Sequence, residues 1–400
     1  MTDTKHLSIV VLPSWYPPAG GAFFREHSRA LSVIGIDVSV LAPVELGITD
    51  NPVAYLTFSG HLSGENQAHF RELRQWQRRI PLVNKLNVRR WVNQAINMYQ
   101  AHTKQHGHPD IIQAHSAMWA GLAAAGIKKR FGTPYVITEH RGRFTHHNDH
   151  ARKLIKSWHK PLLKEAFTKA DHIVPVSVAL QRGIMQLAPE SHRKLSVIPN
   201  MTDTRLFIPA ETSKSPEEPF TFMCVASLEK LKGVDVLLNA FARLQERINH
   251  PVKLVIGGDG DQRKALEALR NRLGLDADVE FTGKLARPEL VKHLQKAHAF
   301  VLPSMFEAFG VVIIEAMACA LPVIATRSGG PESIVTKQTG LLVPPEDPGS
   351  MASAMEAMIN SYKNYNPDII RQYAEKHFSR EGIANRYLRL YEKLLTGKTR

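Results

Sequence analysis

Two glutamates, Glu307 and Glu315, stand eight residues apart in the run SMFEAFGVVIIEAMACALPV, residues 304–323. Phe309 and Gly310 lie between them, and a strongly apolar run follows. On one helix, at about 100° per residue, the two carboxylates would point roughly 80° apart. The better arrangement puts Glu307 on the loop leaving a strand, Phe300-Val301-Leu302, and Glu315 inside the helix that follows. Gly310 then permits close backbone approach at the helix start, whose peptide N–H groups and positive dipole end face an anion. Glu315 can accept hydrogen bonds from ribose hydroxyls, the helix start can receive a diphosphate, and Glu307 can hold a sugar. The plainer alternative is a buried loop-to-helix turn with one exposed and one capping glutamate.

Other residues suit the same chemistry. Lys232 precedes Gly233 and a helix, where an ammonium acts as a point charge on phosphate. Gly20-Gly21 head another helix and can bring backbone N–H groups against a phosphate. Gly257-Gly258-Asp259-Gly260 is no dinucleotide fingerprint, because the spacing and the ribose-binding acid are missing. His115 and His140 each end an apolar strand-like run, and Arg141 and Arg143 follow the second. In doubly wound sheets ligands collect beyond the carboxyl ends of strands, so these tips are where chemistry is expected. The group His146, His147 and His150 admits a metal reading or that of a mobile, polar acceptor loop.

The elements that must position these groups read as α/β. Leu7–Leu12, a loop with Gly20-Gly21, a helix from about Phe23 to Ile34 and a strand from Asp37 to Leu41 begin a doubly wound unit. Residues 42–80 show no clean period and read as a flexible insertion. The region 83–102 is helical. Asp110–His115, Met118–Phe131, Tyr135–Thr138, Asp171–Val176, Ser177–Leu187 and Leu195–Ile198 continue the strand and helix alternation. Residues 209–219, PAETSKSPEEP, are a linker by composition. A second alternation starts at Phe220 and runs through Val252–Ile256, Val279–Thr282 and the strand before Glu307. Helices from Pro348 onward end with Arg380–Leu395.

Length and composition agree. Four hundred residues exceed one core, and 44% apolar content is enough for two. Cys224 and Cys319 are the only cysteines, which excludes a disulfide framework and a four-cysteine zinc site. No signal-peptide pattern or membrane-spanning run is present, so a cytoplasmic protein is expected. The net charge of +14 calls for an anionic partner. Arg71, Arg74, Arg78, Arg79, Lys85, Arg89 and Arg90 crowd one stretch with Trp76 and Trp91. That stretch reads either as an amphipathic surface on anionic lipid, with tryptophan and arginine at the headgroups, or as a solvated helix. No helix-turn-helix, zinc or RNP pattern supports nucleic acid as the partner.

The Glu307–Glu315 run resembles the E-x7-E signature of retaining, family-4-type glycosyltransferases. Pro199-Asn200, Asp203 and Phe207 resemble that family's interdomain segment. The resemblance covers nearly the whole chain, most closely Val225–Val343, and is weak over 42–105. It implies a GT-B fold, two Rossmann-like domains facing a cleft. Residues 1–203 would form the acceptor side, 204–379 the donor side, and 380–400 a helix crossing back. It implies transfer of a sugar from a UDP- or GDP-sugar to a hydroxyl, with retention and without a cofactor or required metal. The acceptor would be a glycan or lipid-linked glycan in envelope or exopolysaccharide synthesis, made at the cytoplasmic membrane face.

By the same resemblance, His140 and Glu307 act at the reacting sugar, and the leaving diphosphate takes the acceptor proton. The donor would be held by Gly20, Gly21, Ser227, Lys232, Lys284, Leu285, Glu315 and the backbone from Ala308 through Phe309 and Gly310 to Val311. His115, Arg141 and Arg143 would face the acceptor. The chain departs from the family at Ser227, where an arginine is usual, with Lys230 as a potential substitute. An epimerase or phosphorylase of the same fold, and a polyanion binder, are the competing functions.

Overall fold

The computed structural model describes residues 6–17, 20–48, 55–56, 62–144, 155–211 and 218–397. They fall into two compact units. The first holds the chain up to Val176, Leu180–Ile198 and the chain from Ile383; the second holds Ser177–Ala179 and Pro199–Gly382. The division thus falls a few residues from the boundaries 203/204 and 379/380 read from the sequence.

In the first unit β1 (Ser8–Pro13), α1 (Ala22–Val33) and β2 (Asp37–Leu46) are followed by β3 (Leu62–Gln67) and β4 (Phe70–Arg78). Then come α2 (Asn84–His106), β5 (Ile111–His115), an irregular turn (Ala117–Gly121), α3 (Leu122–Phe131) and β6 (Tyr135–Glu139). The helix α4 (His159–Lys169), β7 (His172–Pro175) and α5 (Val178–Leu187) complete this half. The seven strands lie in the order β3-β4-β2-β1-β5-β6-β7. All neighbours are parallel except the β3–β4 hairpin. Strands β1, β5 and β6 are buried on both faces, with apolar residues through most of their length and polar ones toward the ends of β5 and β6.

The hairpin corrects the reading of 42–80 as a flexible insertion. Strand β2 runs on to Leu46, and β4 pairs with it along nine residues. The period was hidden because an inward position of β4 is Glu72, not an apolar residue. Glu72 is buried, and its carboxylate accepts from Tyr16 Oη (2.8 Å), Arg25 Nε (2.8 Å) and Arg74 Nε (2.6 Å). Leu195–Ile198, expected as a strand, makes only one isolated bridge, Ile173 to Leu195.

The second unit contains β8 (Phe220–Val225), α6 (Val234–Gln245), β9 (Val252–Gly257), α7 (Arg263–Arg272), β10 (Val279–Gly283) and α8 (Arg287–Lys296). It continues with β11 (Ala299–Leu302), α9 (Val311–Ala318), β12 (Val323–Thr326), β13 (Gly340–Val343), α10 (Pro348–Ser361) and α11 (Pro367–Phe378). Its six parallel strands lie in the order β10-β9-β8-β11-β12-β13. One face is filled by Phe222, Leu237, Phe241, Leu254, Met351 and Met355, all buried. Each unit is therefore a doubly wound, Rossmann-like sheet, with a switch point between β1 and β5 in the first and between β8 and β11 in the second.

The last helix, α12 (Arg380–Leu395), returns to the first unit from Ile383. There Tyr387 Oη lies 3.0 Å from Thr138 Oγ1, and Tyr391 Oη donates to Gln113 Oε1 at 2.7 Å. Both tyrosines are fully buried.

Candidate functional site

The second switch point brings Lys232 and Glu307 together. The loops after β8 and β11 run backbone to backbone, with Met305 N–H donating to Leu231 O at 2.9 Å. Gly233 makes this approach possible: its φ is 64°, and a Cβ there would sit 2.3 Å from Pro303 O. Lys232 Nζ then reaches Glu307 Oε2 at 2.6 Å, with the side chains 25% and 14% exposed. Glu307 is pinned on its other side by the loop after β12. Its N–H donates to Ser328 O (3.0 Å), and its carbonyl accepts from Gly330 N–H (2.8 Å). A cation and a carboxylate are thus fixed beside the start of α9.

Gly310 is the residue before α9, at φ 99°, a left-handed conformation that a side chain would strain. Ala308 and Val311 flank it and are half-buried, whereas the Phe309 ring is buried against Phe378. Phe309 therefore offers a ligand only its backbone. Glu315 lies within α9 and is 6% exposed, with Arg287 3.9 Å from its carboxylate. Ser227 is exposed on the loop after β8, and Lys230, the potential substitute for the missing arginine, is exposed and pairs with Asp235. Lys284 is exposed on the turn after β10, and the neighbouring Leu285 side chain lies over Gly257.

In the first unit, Gly20 and Gly21 lead into α1, both at positive φ. The tips of β5 and β6 hold the histidines. His115 Nδ1 is 3.0 Å from His140 Nε2, and the rings of Phe23 and Phe24 stand edge-on to His140. His115 is fully buried, which removes it from direct contact with an acceptor and corrects that expectation. Burial, with His27 and His140 beside it, pulls its pKa well below the ordinary histidine value, so the ring is neutral.

One of the two facing nitrogens must carry the proton. The two rings share one hydrogen bond, in which either histidine can be the donor.

Two supports escaped the sequence reading. Glu139 is buried, and its carboxylate accepts from Ser116 Oγ (3.0 Å) and from the N–H groups of Ala117 (2.8 Å), His140 (3.0 Å) and Arg141 (2.9 Å). It locks both strand tips. Ser14 donates to His115 O at 2.7 Å and accepts from Trp119 and Ala120 N–H, each at 3.1 Å. The signal available was a polar residue ending each apolar strand. The Arg141 guanidinium lies 4.1 Å from the Trp15 ring centroid. The Arg143 side chain and His146, His147 and His150 lie outside the described residues. Among the described residues no cluster of three histidine, cysteine or acidic side chains could hold a metal, and no helix is long and apolar enough to cross a membrane. Trp91 is buried, its indole N–H donating to Pro43 O at 3.1 Å, so it does not lie at a lipid headgroup as one reading of the basic stretch required.

Two family profiles divide the chain: "Glycosyltransferase Family 4" matches residues 20–206 and "Glycosyl transferases group 1" matches 209–377. The gpi3 subunit of phosphatidylinositol N-acetylglucosaminyltransferase from Schizosaccharomyces pombe is 29% identical over 58% of this chain. The match covers 51% of that protein, so the chain spans about half the length of such relatives. Sucrose-phosphate synthase of Thermosynechococcus elongatus superposes with a TM-score of 0.80 at 22% identity, covering 98% of this chain and 100% of that one. HepE of Anabaena, solved in complex with UDP, gives a TM-score of 0.72 at 18% identity, covering 97% of this chain and 100% of its own.

Proposed function

The chain belongs to the family-4 type of glycosyltransferases and has their GT-B fold, and from that premise we propose that it moves a sugar from a UDP- or GDP-sugar to a hydroxyl with retention of configuration. The observation that carries the reading is the Lys232–Glu307 pair beside the start of α9, at the switch point of the second sheet. Cleavage of the glycosidic C–O bond develops positive character on the sugar and negative charge on the diphosphate. Lys232 meets the departing diphosphate together with the N-terminus of α9, an electrostatic contribution fixed before the reaction begins. Glu307, relieved of Lys232 by the diphosphate, holds the sugar hydroxyls. Glu315 accepts from the ribose. By the family resemblance the first unit is the acceptor side, and His140 is its candidate for acting at the reacting sugar. The acceptor hydroxyl attacks from the face the diphosphate leaves, and the diphosphate oxygen takes its proton.

A glycan or lipid-linked acceptor, as in envelope or polysaccharide synthesis, is supported by the basic surface of the first unit. The printed name of the fission-yeast relative, which includes a phosphatidylinositol, adds to that support. UDP in the HepE crystals favours testing uridine donors first.

The test is a thermal-shift screen of UDP- and GDP-sugars followed by product analysis. Lys232→Ala should lower turnover roughly 100- to 1,000-fold. A product in which the donor sugar is merely epimerised, with no glycoside formed, would overturn the assignment. Normal nucleotide affinity in Glu315→Ala would remove that residue from the ribose site.

A further inference from the structure

The first unit carries two adjoining depressions that the donor chemistry leaves unused. One, of about 330 Å³, is lined by Arg79, Asn84, Asn87, Arg141, Lys156 and His159, with Glu45 as its acid. The other, of about 620 Å³, runs between α2, α3 and α4. Val88, Val92, Leu122, Pro161 and Leu162 give it apolar walls, and Lys85, Arg89, Lys129 and Lys169 stand around it. Val88 and Trp158 line both depressions, so the polar one adjoins the apolar one.

The local sequence explains the shape. Lys85, Val88, Arg89 and Val92 fall on one face of α2 at the spacing of successive turns, placing apolar stems inside and cations at the edge. The groove's one carboxylate, Glu165, is already paired with Lys169 at 2.5 Å. Among the described residues no carboxylate pairs with Lys85, Arg89 or Lys129. Just before and within the first turn of α2, Leu82, Val83 and Leu86 are 99%, 40% and 45% exposed. Contiguous exposed apolar side chains beside a cationic groove mark a surface meant for a partner.

We propose that the adjoining depressions together bind a lipid phosphate. Its phosphate lies against Arg79, Arg141 and Lys156, its hydrocarbon chain occupies the groove, and it enters from a membrane past Leu82 and Leu86. The inference rests on the glycosyltransferase reading only in naming this ligand as the carrier of the acceptor. It fits the placement of Arg141, one residue after His140. It also gives a use to Arg79, Lys85 and Arg89 of the basic stretch.

The experiment titrates the full chain with dodecyl phosphate below its micellar concentration, following tryptophan fluorescence, to which Trp119 and Trp158 of the site contribute, and calorimetry. Inorganic phosphate and neutral dodecyl maltoside are the comparators. Dodecyl phosphate should bind roughly tenfold or more tightly than either, since only it satisfies both ends. Arg141→Gln should erase its advantage over the maltoside, and Val92→Asp its advantage over inorganic phosphate. Lys129→Glu, an exposed change that leaves the fold intact, should weaken it several-fold. Sedimentation with phosphatidylcholine vesicles containing phosphatidylglycerol should fall in Leu82→Asp.

Equal binding of inorganic phosphate reduces the site to an ion pocket and overturns the proposal. Equal binding of the maltoside reduces it to an adventitious apolar patch, with the same consequence. Unchanged affinity in Lys129→Glu and Arg141→Gln places the ligand elsewhere. Sugar transfer to a soluble acceptor with no dodecyl phosphate binding sinks the groove alone. Saturable dodecyl phosphate binding in a protein that transfers no sugar sinks the donor assignment and leaves the groove standing.

Discussion

At the scale of single residues, the site depends on groups that hold other groups. His115 is buried away from substrate, yet its Nδ1 lies 3.0 Å from His140 Nε2, and that hydrogen bond orients the His140 ring. His115→Leu should lower kcat on the order of 10- to 100-fold with little change in KM for the donor. His115→Asn places an amide N–H near the same point and should restore most of the loss. A purely packing role for His115 predicts instead that the apolar variant is the better tolerated. Lys232 and Glu307 form a similar couple across two loops. Replacing both in one protein should cost less than the sum of the single losses, because either single change leaves a half-buried charge without its partner. Additive losses measured in that cycle would mean the two act separately.

At the scale of elements, the sequence was legible wherever apolar period and turn chemistry agreed. The buried strands β1, β5, β6 and β11 stand out as apolar runs, and the Gly233 and Gly310 turns announce the helices behind them. The hairpin β3–β4 did not stand out, because its inward face is built around the carboxylate of Glu72 and the cations that meet it. Long-range pairing of that kind leaves no periodic trace. For the same reason Glu139 passed unnoticed: its four donors come from two separate strand tips.

The Glu72 cluster makes its own prediction. Burial alone raises a carboxyl pKa, but hydrogen bonds from Tyr16 and Arg74 and the charges of Arg25 and Arg74 outweigh it, so Glu72 stays below the ordinary value of 4.5. Its contribution is present above pH 4.5 and is lost as pH falls through the lower folded value. Glu72→Gln should cost about 2 kcal/mol at pH 7 and flatten the acid limb of the stability curve below pH 4.5, measured by denaturant melts.

At the scale of the whole molecule, stability has a second pH dependence in a different window. His27 is buried among His115 and Tyr387, and burial lowers its pKa from 6.5 to about 3. The unfolded chain therefore takes up a proton below pH 6.5 that the folded chain refuses, and stability falls as pH drops from 6.5 toward 3. The loss is roughly 2 kcal/mol by pH 5. His102, His115 and His172 are lowered by burial as well, so His27→Phe should remove its own share of roughly 2 kcal/mol at pH 5 and leave theirs; an unchanged slope would take His27 out of the effect. The α12 helix matters at the same scale. Removing residues 383–397 strips Tyr387 and Tyr391 from Thr138 and Gln113 and should expose one face of the first sheet, seen as faster amide exchange in β5 and β6.

Because the chain leaves the first unit at Ile198 and returns to it at Ile383, that unit is not contiguous. During synthesis the ribosome has made all of the second unit before it begins the helix that closes the first. The earlier sheet must therefore wait, partly uncovered, while nearly two hundred residues are added, which is the interval in which a chaperone would find it.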